Sequence, residues 1–274
     1  MKRTKTAKTG TRKPAKKPAQ TSGGLSSQGL EWVDWARGEG LLNGRKRAAR
    51  PASRNQSKKA PRTKAEQRAE TMEQILDAAE YLFSKHGLYG VTLRDVSVQV
   101  GVHTSLMHYY FEDKFDLFKA VFVRRASVTS ERRMRALDEY EKRVGGKPTV
   151  AGALHVFLDT DFDLYMSGGE GWKNYGAFGS QLSNTPEGAA MFDHYFDPVV
   201  LRLIGLLKKA LPGVSDEDIF WGYHFVTGSF MHSLARSGRL DRLSGGLCKS
   251  GDLAAVKARM ADFMAQGFNS LRKR

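Results

Sequence analysis

Apolar residues first recur at helical spacing in the run "ILDAAEYLF", where Ile75, Ala78, Ala79, Leu82 and Phe83 follow the i, i+3, i+4, i+7, i+8 rule of one buried face. This pattern predicts a helix from about Thr71 that stops at Gly87, a residue suited to a left-handed end. Thr92 and Asp95 stand at capping-box spacing and open a second helix over about 93–100, with Val96 and Val100 inward. Gly101 breaks it, and "VHTSLMHYY" resumes helical text at once. Two short helices about a glycine turn, braced by a preceding helix, make a helix-turn-helix candidate. From Asp113 helical text continues to the "GGKP" break at 145–148, as one long connecting helix or a kinked pair. Residues 149–166 predict a further helix with Leu154, Phe157, Leu158, Phe162 and Tyr165 inward, and "WKNYGAFGSQL" a short one. Thr185 and Pro186 then open a stretch expected to bend near Pro198 and to stop at Pro212. Ser215 and Asp218 open a helix to about Ser237, and the last runs from Asp252 to about Leu271. No run reads as a strand, so the fold class is all-α.

The second short helix has two faces with different chemistry. Val102, Leu106, Met107 and Phe111 suit packing, whereas Thr104, Ser105, His108 and Tyr109 share the opposite side, with His103 at its leading edge. Hydroxyls and an imidazole exchange hydrogen bonds with base edges in the major groove, and a threonine methyl meets a thymine methyl. Phosphate contacts are expected from Thr92, Tyr109, Tyr110 and Lys114, the last at the start of the next helix, where backbone amides also favour an anion. Tyr110 equally suits a core aromatic with its hydroxyl at the surface, and His108 a plain solvated position.

The run "ILDAAEYLFSKHGLYGVTLRDVSVQVGVHTSLMHYYFEDKFDLFKAVF" resembles the DNA-binding domain of TetR/AcrR-family transcriptional regulators. The likeness covers roughly residues 70–122 and implies base reading by Thr104, Ser105 and His108, with Arg94 reaching a base or phosphate from the preceding helix. Arg94 is also compatible with a simple surface charge. His103 and His108 depart from the Ser and Tyr common in the family, so no operator sequence carries over. The resemblance further implies a homodimer through the last two long helices and an effector cavity among the middle helices. Phe162, Tyr165, Trp172, Tyr175, Phe178, Phe192 and Phe196 are the candidate cavity walls, against the alternative of ordinary core packing. His155, Asn174, Gln181 and His224 are candidate polar groups there, and a hydrophobic effector of fatty-acid or acyl-thioester type is the expectation.

Charge divides the chain differently. Residues 1–64 hold 18 Lys and Arg against 3 Asp and Glu, which accounts for the whole formal net charge of +15. This describes a basic arm (1–64), expected to be disordered and to attract DNA phosphates without regard to sequence, before a helix-turn-helix domain (65–120) and a helical effector-binding and dimerisation domain (121–274). Trp32 and Trp35 in the arm share one side of a helical turn, which suits a docking island and equally a transient helix with no role. The single cysteine, Cys248, rules out an internal disulfide framework. No apolar run reaches the length of a membrane span, and a cytoplasmic, nucleoid-associated protein is expected. Catalytic motifs are missing, and His155, His194, His224 and His232 lack metal-ligand spacing, so neither enzyme nor cofactor is expected. The expected function is a repressor that binds a palindromic operator as a homodimer and is released by a small effector. Rivals are an architectural DNA-binding protein using the arm and an adaptor acting through Trp32 and Trp35.

Overall fold

A computed structural model of the protein describes residues 63–273. The basic arm through residue 62 and the Trp32/Trp35 island lie outside the described residues. Ten α-helices follow in order: α1 (Lys64–His86), α2 (Leu93–Val100), α3 (Thr104–Tyr110), α4 (Lys114–Arg143), α5 (Val150–Ser167), α6 (Glu170–Leu182), α7 (Pro186–Ala210), α8 (Asp216–Ala235), α9 (Arg239–Leu243) and α10 (Leu253–Ser270). A 3₁₀ turn, Leu271–Lys273, closes the described chain, and no strand occurs among the described residues.

Local signals account for most helix ends. Thr92 and Asp95 form the expected reciprocal cap of α2, and Gly101 ends it in the left-handed region at φ 79°, a conformation that costs a glycine little. The first helix starts about two turns earlier than its apolar period indicates. Thr63 and Glu66 make a second capping box there: the Glu66 amide donates to the Thr63 hydroxyl at 3.2 Å and the Thr63 amide to the Glu66 carboxylate at 2.8 Å. Helix α4 is continuous over 30 residues rather than kinked, so a boundary at 120/121 falls inside one element. Helix α7 starts at Pro186 behind the Thr185 cap and runs on through Pro198. The short helix α9, between α8 and α10, has no counterpart in the periodicity of the sequence.

One apolar core joins the helix-turn-helix to the rest. Phe83 of α1 meets Phe118 of α4 edge-on at 5.1 Å, and Phe118 meets Phe178 of α6 at 4.6 Å. Beside these rings lies a buried ionic knot. Glu80 of α1, 1% exposed, accepts from Arg124 Nη2 at 2.6 Å and from Arg125 Nε and Nη2 at 2.9 and 3.0 Å, while Arg124 Nη1 donates to Asp77 at 2.8 Å. Gly171 of α6 leaves the space this knot needs, since a Cβ there would stand 2.2 Å from Arg125 Nη2. The Arg125 guanidinium also lies over the Trp172 ring at 4.8 Å. Two further bonds join α1 to α6: Gln181 donates to the Ser84 carbonyl at 3.1 Å, and the Ser84 hydroxyl, whose main acceptor is the Tyr81 carbonyl, lies 3.4 Å from Asn174 Oδ1.

In the body, α10 lies along α5, and α8 and α10 approach closely at Gly222, where a Cβ would meet the Phe268 ring at 2.4 Å. His155 of α5 bridges Asp159 and, across to α10, Asp262, at 3.2 and 3.1 Å.

Candidate functional site

Helix α3 is held by its back. Met107 is fully buried, Phe111 nearly so, and Val102, Leu106 and Tyr110 are half-buried, which fixes the rotation of the helix. Ser105, His108 and Tyr109 are exposed on the solvent side of α3, and Arg94 on α2 is exposed as well. Thr104 is half-buried. The Ser97 hydroxyl donates to the Arg94 carbonyl at 2.8 Å, so the 2.9 Å contact between Ser97 and Thr104 is donated by Thr104. A hydroxyl committed in this way leaves Thr104 its methyl and its oxygen lone pair for a base edge.

His103 is the N-cap of α3. The Ser105 amide donates to His103 Nδ1 at 3.3 Å, and the Ser105 hydroxyl stands 2.7 Å from the same nitrogen. Two donors converging on Nδ1 put the ring proton on Nε2. Thr92 is committed as well: its hydroxyl donates to Asp95 Oδ2 at 2.7 Å, which leaves no proton for a phosphate oxygen in this arrangement. Lys114 is the first residue of α4, where the Asp113 carboxylate already accepts from the Phe115 and Asp116 amides at 2.7 and 3.0 Å, and its Nζ lies 5.5 Å from the centroid of the exposed Tyr89 ring.

Arg68 is the residue that sequence reasoning missed at this face. It lies on α1, donates to the Tyr109 hydroxyl, and has its guanidinium carbon 5.5 Å from the Tyr109 ring centroid. Tyr109 and Tyr110 in turn meet edge-on at 5.2 Å. A cation is thereby anchored beside the phenols expected to contact phosphate. The available signal was the Thr63-x-x-Glu66 spacing, which extends α1 back far enough to include Arg68.

The body contains a small cavity of about 50 Å³ among α4, α5, α6, α7 and α8. Tyr165, Tyr175, Phe192 and Phe196 line it, with Phe157, Tyr223 and Phe230. Phe162, Trp172 and Phe178 do not. Phe162 packs edge-on against Phe230 at 5.3 Å, Trp172 covers Arg125, and Phe178 belongs to the core shared with the helix-turn-helix. The expected polar groups are elsewhere too: His155 faces α10, Asn174 and Gln181 face α1, and the His224 ring lies 5.7 Å from that of the exposed Trp221.

The polar content of the cavity is instead an ion pair. Arg133 of α4 and Asp161 of α5 are 5% and 2% exposed, with Nη2 and Oδ2 2.9 Å apart. Arg133 Nε donates to the Phe157 carbonyl at 3.2 Å, and its guanidinium carbon lies 4.1, 5.4 and 5.9 Å from the ring centroids of Phe157, Phe230 and Phe196. Burial pushes the Asp161 carboxyl above its ordinary range, against the pull of Arg133. Burial likewise raises the Tyr165 and Tyr175 phenols, keeping both neutral. A space of this size holds a few waters, whereas sites for drug-sized ligands run to several hundred Å³. In this conformation the cavity is too small for a long acyl chain.

The last two long helices expose aromatic residues. Phe220, Trp221 and Phe225 of α8 and Phe263 of α10 are 44, 54, 61 and 76% exposed, and the Trp221 and Phe225 rings stack at 6.2 Å. No helix among the described residues is long and apolar enough to cross a membrane.

Comparison with known proteins agrees with this architecture in both halves. Residues 75–121 match the family of bacterial regulatory proteins of the tetR type, and residues 155–267 match the tetracyclin repressor-like C-terminal domain. A curated relative, the HTH-type transcriptional repressor BepR of Brucella suis biovar 1 (strain 1330), is 43% identical over 63 residues, 23% of this chain. That match spans only 30% of the relative's length. Among solved structures, the ketosteroid transcriptional regulator KstR2 of Mycobacterium tuberculosis is similar with a TM-score of 0.51 and 12% identity, over 80% of this chain and 98% of the other. A tetR family protein from Shewanella sp. PV-4 is similar with a TM-score of 0.50 and 14% identity, over 72% of this chain and 97% of the other. At these identities the two structures speak to the fold alone. With a tetR-type helix-turn-helix followed by a tetracyclin repressor-like C-terminal domain, the chain belongs to the TetR family of transcription regulators.

Proposed function

We propose that the protein is a repressor that binds a palindromic operator as a homodimer and leaves it when a small effector enters the body. The observation that carries this reading is the face of α3: Ser105, His108 and Tyr109 are exposed on a helix whose opposite side is locked into the core. Uncharged readers discriminate between bases without adding attraction common to every sequence. Thr104, Ser105, His108 and Arg94 read bases. Tyr109, Tyr110 and Lys114 hold the backbone, with Arg68 beside them, and Thr92 does so only after giving up its bond to Asp95.

The dimer is supported by the exposed aromatics of α8 and α10, which water leaves uncompensated on a single chain. A twofold dimer sets two reading helices about 34 Å apart, one turn of DNA. Effector release is supported by α4, which runs without interruption from Lys114 at the reading face past Arg133 at the cavity. An effector shifts the balance only by its preference for the released conformation, about 1.4 kcal/mol for each tenfold loss of operator affinity.

The test is a footprint by the purified full-length protein across the promoters of its own and neighbouring genes. A discrete protected palindrome is the expected result, and uniform protection of all sequences would end the repressor reading.

A further inference from the structure

The cavity holds two buried polar atoms with no hydrogen-bond partner, Asp161 Oδ1 and Arg133 Nη2. The 2.9 Å contact of Nη2 with Asp161 Oδ2 is an ion contact whose angles do not make a hydrogen bond. No protein group meets these two atoms, so the few waters the cavity holds, or a ligand, must do so, because a buried polar atom left unmet costs about 1–3 kcal/mol, more where the group is charged. Both residues line the chamber, together with Phe157, Phe192, Phe196 and Phe230. One atom requires a donor and the other an acceptor.

The two partners differ in what they can give up. Arg133 stays charged under any ordinary condition, so a cationic ligand that captured Asp161 would strand a guanidinium among three aromatic rings. Asp161 can be neutralised by a single proton, and burial already favours that form. The site therefore tolerates an incoming anion and resists an incoming cation.

We infer that the cavity is the recognition point for a small aromatic carboxylic acid, whose carboxylate takes Arg133 while Asp161 accepts one proton from solvent and donates it as a hydrogen bond to the ligand. The inference rests on the reading of the body as an effector domain and names the chemistry of that effector. No bond to carbon changes: one carboxylate enters, one proton is taken up, and the net charge of the buried group is unaltered. The aromatic ring replaces contacts among the wall residues, with the half-buried Phe192 and Met231 giving way. The other ionisable groups around this centre are Tyr165 on α5, Tyr175 on α6 and Tyr223 on α8, with Arg125 of α4 facing Tyr175 and Asp197 of α7 facing Tyr223. The buried phenols Tyr165 and Tyr175 stay protonated throughout, which leaves Asp161 to take the proton.

The experiment is titration calorimetry of the full-length protein with phenylacetate, benzoate, octanoate, phenylacetamide and phenethylamine, between pH 6.5 and 8, in two buffers of different ionisation heat. Phenylacetate or benzoate should bind best, with uptake of one proton and affinity falling about tenfold per pH unit. Asp161→Asn should keep acid binding and lose both the proton uptake and the pH dependence. Arg133→Met should abolish it. Tightest binding by phenethylamine or octanoate, binding of the acids without proton uptake, or no binding by any acid would overturn the inference. A footprint without acid binding would defeat this inference and leave the repressor reading intact, whereas acid binding with proton uptake but no footprint would do the reverse.

Discussion

The exposed face of α3 and the cavity of the body solve opposite problems with similar side chains. On α3, polar groups stand in water on a rigid apolar back, so Ser105, His108 and Tyr109 are available to a partner without first breaking a core. In the cavity, Arg133 and Asp161 are enclosed by aromatic rings and paired with one another, while Tyr165 donates to Asp161 and Arg133 to the Phe157 carbonyl. Solvated readers can be changed with little structural consequence. Enclosed charges belong to both stability and recognition, because removing one leaves the other uncompensated. The knot of Glu80 with Arg124 and Arg125 joins the two regions and shares the character of the second.

The largest effect should come from that knot. Glu80→Ala leaves the buried Arg124 and the half-buried Arg125 guanidinium groups without a shared acceptor and should lower stability by about 3–5 kcal/mol, read as a fall in the urea midpoint. A loss under about 1 kcal/mol would show that the junction is more solvated than its burial implies. Next, Met107→Ala empties the back of α3 and should cost about 2–5 kcal/mol in the same assay, whereas Ser105→Ala, on the other face of the same helix, should stay within about 0.5 kcal/mol. Equal losses would dissolve the distinction between a packed back and a free front.

In DNA binding the order reverses. Ser105→Ala or His108→Ala should reduce discrimination at one base pair by about 1–3 kcal/mol with the salt dependence unchanged. Lys114→Ala should instead weaken all sequences alike and lower the salt slope by about 1, measured by fluorescence anisotropy over a salt series. The smallest effect concerns His155. Burial lowers the pKa of its imidazole, but hydrogen bonds to Asp262 and Asp159 outweigh that and raise it above the ordinary value. Its contribution to stability is therefore fully present below about pH 6.5 and is lost as pH rises through the raised value. His155→Asn should flatten the pH dependence of the melting temperature in that window, and an unchanged slope would remove His155 from the α5–α10 contact.

The difference between the regions also explains what could be read from the chain before its fold was known. The caps Thr92, Thr185 and Ser215, the αL glycine Gly101 and the two faces of α3 all follow from residues a few positions apart. The cavity was only half legible. Aromatic residues marked the right part of the body, yet Phe178 and Trp172 serve the junction with α1 and α4, a choice made by which helix lies opposite them. Arg133 occurs in the run "SERRMRAL", and Asp161 in "LDTDFDLYM", where charge reads as a solvated helix face. Only the packing of α4 against α5 distinguishes these two from their exposed neighbours.

By itself the sequence determined helix identity, most helix ends and the division of α3 into a packed side and an exposed polar side, because hydrogen bonding and capping act within about four residues. Tertiary structure alone decided which charges are buried. Arg68 meets Tyr109 across 41 positions and Arg124 meets Glu80 across 44, and no local period encodes either pairing. The physical reason is that the cost of enclosing a charge depends on everything packed around it, so its partner is known only once the helices have met.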